Sequence, residues 1–168
     1  VQIFIKNMGT MRMAKTSFNE GIVNQRNKVI KENDQIPPVD LPNLKWDPLV
    51  NSVVQIRGPS GSGKTTLGYA VADHYISLGY SVAFIESNPH LPYSNVQDVY
   101  DHNPEILKIV SDLDLNIDND LDVMSLSNGE RQRLMIGLAI ATNQDLIILD
   151  EGLSALDEAV SYTHLRAH

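Results

Sequence analysis

The chain has 168 residues, 42% of them apolar and 20% charged, with no cysteine and a formal net charge of −8. That length supports one core of ordinary size, the lack of cysteine excludes a disulfide framework and permits a reducing compartment, and the longest apolar run, Met135 to Ala141, is far too short to span a bilayer. Charge is uneven, with a net +3 over residues 1 to 35 and −11 over the remainder, which disfavours a nucleic-acid surface on the main body.

Taken in chain order, residues 1 to 33 mix basic positions with Phe4, Met8, Met11, Phe18 and Ile22 at roughly helical spacing. Residues 1–35 are therefore expected to form a basic helical leader, either a solvated helix face or a juxtamembrane segment facing anionic lipid. Ile36 to Pro42 holds three prolines, which cannot continue a helix, so residues 36–51 are expected to be a linker. Val53 to Ile56 reads as a buried strand running into a glycine loop. Lys64 to about Leu78 reads as a helix closed by Gly79. Ser81 to Ile85 is a second strand, followed by a proline-rich loop to Tyr93. Asn103-Pro104-Glu105 has the chemistry of a helix start: an Asn cap, Pro where its missing N–H costs nothing, and Glu at the positive end. Asp112 to Asp122 is acidic but has Ile117 and Val123 where a calcium loop needs Gly and Glu, so it reads as a solvated loop. Gly129 to Thr142 is expected to be helical, and Leu146 to Leu149 a strand buried on both faces. Strands alternating with helices argue for a parallel α/β sheet.

Three segments carry chemistry. Gly58-Pro59-Ser60-Gly61-Ser62-Gly63-Lys64-Thr65 follows a strand and opens a helix, the context in which a glycine-rich loop cradles phosphates. Its glycines let backbone N–H groups converge on anionic oxygens. Lys64 would reach the β- and γ-phosphates of a nucleotide, and the Thr65 hydroxyl, with Thr66 beside it, would lie at the Mg²⁺ position. Asp150 and Glu151 end a buried strand, where α/β folds place ligand-facing groups. Neighbouring strand residues point to opposite faces, so the two carboxylates take different roles: Asp150 holds Mg²⁺ and Glu151 polarises an attacking water as the catalytic residue. In Leu126-Ser127-Asn128-Gly129-Glu130, Ser127 and Glu130 stand at capping-box spacing before the helix.

The ordered trio of phosphate loop, Leu-Ser-Asn-Gly-Glu segment and Leu-Ile-Ile-Leu-Asp-Glu closely resembles the ATP-binding cassette (ABC) ATPases. The resemblance runs from about Val53 to Val160. It implies a P-loop fold of ABC type, a parallel sheet with flanking helices and a helical signature subdomain, incomplete at the C-terminal side. It implies ATP and Mg²⁺ as cofactors, a second nucleotide-binding domain in a head-to-tail dimer, and a transmembrane domain as partner at the cytoplasmic face of a membrane. Ser127, Asn128, Gly129 and Glu130 would then present a helix N-terminus to the γ-phosphate held by the second subunit, with Asn128 standing for the family's first signature Gly and Glu130 for its Gln. Ser154 to Asp157 resembles the D-loop. Glu151 to Asp157 and Asn88 to Leu91 are nearest to the exporter type, so the expected function is ATP hydrolysis powering an exporter. The rival reading is a soluble ABC-type ATPase acting on DNA, ribosomes or defence complexes, although residues 66 to 125 hold no heptad run. A third reading, a degenerate cassette that only binds nucleotide, is opposed by intact Lys64, Asp150 and Glu151.

Departures from the family pattern are specific. Its coupling glutamine should fall at Ser87, with Gln97 ten residues on. The strands that usually precede the phosphate loop are nearly absent, with Trp46 the candidate to stack on adenine. The switch histidine would lie beyond His168, and His164 comes too early for it. The last eight residues, 161–168, resemble an adapter-derived tail, and the chain reads as a fragment of a longer protein in which 52–160 form a partial nucleotide-binding domain.

Overall fold

The computed structural model describes residues 1–5 and 53–150, which fall into two compact units. The linker, Trp46, Glu151, the D-loop segment and the tail lie outside the described residues. The first unit is built on a four-stranded sheet of β1 (Gln2–Ile5), β2 (Val53–Gln55), β3 (Val82–Ile85) and β4 (Leu146–Leu149), in the order β2-β1-β4-β3. One helix, α1 (Lys64–Ser77), packs on it.

β4 reads Leu-Ile-Ile-Leu and β3 Val-Ala-Phe-Ile, and every residue of both is buried. Such uninterrupted apolar runs are what strands covered on both faces require. The starts of the two strands are tied together at Ser81 and Asp145, so they run parallel. The Asp145 carboxylate accepts from the Ser81 N–H at 2.9 Å and from its hydroxyl at 2.8 Å. In return the Asp145 N–H donates to the Ser81 Oγ at 3.0 Å, and the Leu146 N–H to the Ser81 carbonyl at 3.0 Å.

The expectation of a helix over the leader does not hold at its first residues. Gln2 to Ile5 form a strand that pairs antiparallel with β2 on one side and with β4 on the other. Ile3, completely buried, sits opposite Val54 and Ile148, and the alternation of the strand puts it in the core where a helical period would not. The rest of the leader lies outside the described residues.

α1 buries Gly68, Tyr69, Val71, Ala72 and Tyr75, the i, i+3, i+4, i+7 stripe of an amphipathic helix. That stripe meets Val82, Phe84, Leu146, Ile148 and Ile3 to form the core. The Tyr69 ring stacks on Phe84 with centroids 4.1 Å apart and planes 4° from parallel. The helix ends as the sequence predicts: Gly79 takes a φ of 87°, its N–H reaches Ile76, and the Tyr80 N–H reaches Tyr75, a Schellman closure.

The second unit holds α2 (Val96–His102), 3₁₀ turns at Pro104–Lys108 and Val123–Ser125, and α3 (Asn128–Ala141). The helix start predicted at Asn103 is instead one 3₁₀ turn. The Asn103 side chain does not cap it, because it donates to the Tyr93 hydroxyl at 3.0 Å and to the Val99 carbonyl at 3.1 Å. The regular helix begins earlier, where Asn95 accepts the Asp98 N–H at 2.8 Å. The acidic segment is pinned beside this start, through Val96 N–H to Leu121 O and Val123 N–H to Ser94 O. α3 is buried from Leu134 to Ile140. A Cβ on Gly137 would come within 2.9 Å of Leu113 and 3.2 Å of Ile106, so a larger residue there would push those side chains off the helix.

The Ser81–Asp145 lock is fully buried, so its removal has a defined cost. Asp145→Ala should lower stability by about 1–3 kcal/mol by stranding two donors, whereas Asp145→Asn, which keeps one acceptor oxygen, should recover much of that loss. The midpoint of urea unfolding checks both.

Candidate functional site

The phosphate-loop candidate lies in the first unit, between β2 and α1. Gly61 and Gly63 adopt φ values of 75° and 85°, which residues with a side chain rarely take, and a Cβ on Gly58 would collide with the Ser62 hydroxyl at 2.6 Å. The loop therefore keeps its backbone bare along Gly58, Pro59, Ser60, Gly61 and Ser62, all of them exposed. Gly63 is the N-cap of α1, no side chain caps the helix, and no acidic residue stands in its first turn. The first-turn amides, including those of Lys64, Thr65 and Thr66, thus face outward as an anion-binding end. Lys64 arches back over the loop, with Nζ donating to the Pro59 carbonyl at 2.9 Å. That position puts a cation above the cradle.

The Thr65 hydroxyl donates to Asp150 Oδ2 at 2.7 Å across 85 residues of sequence. Asp150 stands one residue beyond β4 and is 9% exposed, and its Oδ1 is buried with no hydrogen-bond partner among the described residues. A buried carboxylate oxygen left open in this way is a place for a water or a cation to bind. A hydroxyl and a carboxylate are hard oxygen ligands of the kind Mg²⁺ takes, with waters and phosphates completing its shell. The two residues assigned to the metal from sequence are thus brought together. Glu151, assigned as catalytic, lies outside the described residues.

The signature segment lies in the second unit. Ser127 is the N-cap of α3 and forms a full capping box: its N–H donates to Glu130 Oε2 at 2.8 Å, and its Oγ accepts the Glu130 N–H at 3.3 Å. The Ser127 hydroxyl also donates to the same carboxylate at 2.6 Å. Ser127 and Asn128 are exposed, and Gly129 and Glu130 partly so. Two neighbouring side chains that sequence reasoning did not single out brace this turn. The Arg131 guanidinium reaches the Leu126 carbonyl at 2.5 Å and the Asn88 amide oxygen at 3.0 Å, and also the Asn128 amide oxygen. Gln132, buried at 5% exposure, donates to the carbonyls of Glu86 and Ser87. Both stand in the polar run of residues 128 to 133, where nothing in the sequence sets them apart. Ser87, at the coupling-glutamine position, is exposed and contributes its carbonyl; Gln97 is on α2, bonded to Asp101.

The Ser127 hydroxyl, followed by its N–H, holds the Glu130 carboxyl below its ordinary range. A depressed folded value means the capping contribution is complete above the unfolded pKa and is lost as pH falls through the folded one. Amide exchange across residues 127 to 131 should therefore speed up as pH is lowered through and below the ordinary carboxylate range, after correction for intrinsic rates. Glu130→Gln, which caps without titrating, should show no such acceleration.

The sequence profile of the ABC transporter family matches residues 41–154. A zinc import ATP-binding protein, ZnuC, of Rickettsia conorii is 29% identical over 153 residues, covering 81% of this chain and 64% of its own length. The ZnuC of Rickettsia prowazekii is 30% identical over 125 residues, covering 64% of this chain and 53% of its own. An ABC transporter ATP-binding/permease protein of Mycobacterium tuberculosis is 27% identical over 139 residues, 62% of this chain and 16% of that protein. The chain thus spans about half to two thirds of the ZnuC relatives. With the profile spanning more than half of its residues, and with the loop, the Thr65–Asp150 pair and the capped signature turn in their folded contexts, the chain belongs to the ABC transporter family.

Proposed function

We propose that this chain binds Mg-ATP and hydrolyses it as the nucleotide-binding part of an ABC transporter, at the cytoplasmic face of a membrane. The observation that carries the reading is the Thr65–Asp150 pair with its unpartnered buried oxygen, set beside an uncapped helix end. The loop amides from Gly61 to Thr66 would grip the β- and γ-phosphates. Lys64, released from Pro59, would bridge the same oxygens, and Thr65 and Asp150 would hold the metal. Held by Thr65 and Asp150, Mg²⁺ would supply positive charge against the negative charge of the phosphates. Glu151, next in sequence to Asp150, is assigned to accept hydrogen-bonded water and draw off its proton. Ser127 and Gly129, with Asn128 and Glu130 shaping their turn, would complete the site of a second nucleotide-binding domain in a head-to-tail dimer, where α3 directs its positive end at the γ-phosphate.

A transmembrane component would work with it, as ABC ATPases do. Among the described residues no helix is long and apolar enough to cross a bilayer. As to direction, the exporter reading of Glu151 to Asp157 finds no support in the relatives. Several of them are named zinc import ATP-binding proteins, which favours an importer-type component. The soluble-ATPase alternative has no observation in its favour.

Two substitutions separate binding from chemistry. Lys64→Ala should weaken binding of a fluorescent ATP analogue by at least about tenfold, and unchanged affinity would remove the phosphate-loop assignment. In the full-length protein, Glu151→Gln should keep that affinity while turnover drops by about 10² or more, with an ATP-bound dimer accumulating on gel filtration. Normal turnover in that variant would place the general base elsewhere.

A further inference from the structure

Asn128 is the first residue of α3, directly after the Ser127 cap, where the ABC pattern has a glycine. An asparagine there brings a cost that glycine does not. Its amide oxygen is an acceptor beside the N-terminal N–H groups of α3, the end that an incoming phosphate oxygen would approach. Left to itself, that side chain would compete with the phosphate for the helix end.

The structure gives the oxygen another partner. Asn128 Oδ1 accepts from Arg131 Nη2, one turn along the helix, and the same nitrogen donates to Asn88 Oδ1 at 3.0 Å. The other guanidinium nitrogen, Nη1, donates to the Leu126 carbonyl at 2.5 Å, and more weakly to that of Met124 at 3.4 Å. Only a planar fork can serve these directions together. A lysine ammonium has one nitrogen and cannot reproduce contacts that are divided here between two. Gln132 fastens the same stretch from the buried side of the helix, through the carbonyls of Glu86 and Ser87. The loop at residues 86 to 88 and the turn at 124 to 130 are therefore bound to α3 by two adjacent side chains.

We infer that Arg131 is a positioning residue that draws the Asn128 amide oxygen to its guanidinium, anchored on Asn88, and so keeps the Ser127–Glu130 turn open to a phosphate oxygen. This rests on the signature reading given under Proposed function. Arg131 touches no substrate in this role. It acts through the placement of Asn128, and the dependence on Asn128 is what sets it apart from a simple brace of the loop.

The test is steady-state ATP hydrolysis by the full-length protein with its membrane partner, comparing the effect of Arg131→Ala in two backgrounds. With Asn128 present, Arg131→Ala should lower kcat about tenfold while KM for ATP stays within about twofold, because the phosphate loop that holds the nucleotide is untouched. In the Asn128→Gly background the same substitution should cost no more than about twofold to threefold, since no side chain remains to be drawn aside. Arg131→Lys should resemble Arg131→Ala. An equal loss in both backgrounds would reduce Arg131 to a structural brace, and full activity of Arg131→Lys would mean that charge alone matters; either result overturns the proposal. Gly129→Asp serves as the control on the signature itself. If it leaves kcat intact, the signature reading falls and takes the proposal with it. If it abolishes turnover while Arg131→Ala does not lower it, only the proposal fails. Melting temperatures of all variants check folding, and the comparison between backgrounds holds even where Arg131→Ala costs stability.

Discussion

The geometry around the glycine loop depends on β4 being held at both ends by an aspartate. At its start Asp145 locks onto Ser81, and just past its end Asp150 accepts from Thr65. Between them lie four residues with no exposed surface. A strand covered on both faces cannot slip by one residue without turning Leu146 and Ile148 out of the core they share with α1, so its register is fixed. The position of the Asp150 carboxylate is thus set by packing rather than by the loop it meets. Placing a charged group at the end of an otherwise apolar strand is costly, and the bond from Thr65 offsets only part of that; the unpartnered Oδ1 is the remainder.

The signature turn follows a different logic: beside buried Leu126, polar contacts from Ser127, Glu130 and the two residues after them hold it. Ser127 and Glu130 satisfy each other, and Arg131 and Gln132 satisfy the carbonyls and amides around them. Hydrophobic support comes from buried Leu126 before the cap and from Leu134 onward, where Ile106 and Leu113 pack on the helix at Gly137. A helix whose first turn is polar and exposed and whose body is buried can present its N-terminus outward while the remainder anchors it.

Much of this was legible in the chain. The phosphate loop, α1 with its Gly79 closure, β3, β4, and the capping box at Ser127 and Glu130 stand where sequence patterns put them, because each is fixed by local chemistry: glycine at positive φ, a proper cap, or an uninterrupted apolar strand. Two features were not. Gln2 to Ile5 are strand because β2 and β4 flank them, and a four-residue segment carries too little period to reveal partners 50 and 145 residues away. Asn103 looked like a helix cap, but the Tyr93 hydroxyl, available only once the chain has turned, claims its side chain, while Asn95 takes the capping role. The Arg131 and Gln132 contacts are likewise tertiary, and no spacing rule announces them.

The placement of β1 also sets a distance. β2 and β4 run in the same direction but do not touch, because β1 lies between them antiparallel to both. Two strand spacings, about 9.5 Å, therefore separate the strand that feeds the phosphate loop from the strand that carries Asp150. The loop and the first turn of α1 are the span across that gap, and Thr65, at the second position of the helix, is where the span touches down. The width of one inserted strand is in effect the gauge to which the Thr65–Asp150 pair is cut: a strand fewer would bring the two banks together by roughly 4.8 Å and leave the glycine arch too long for its crossing.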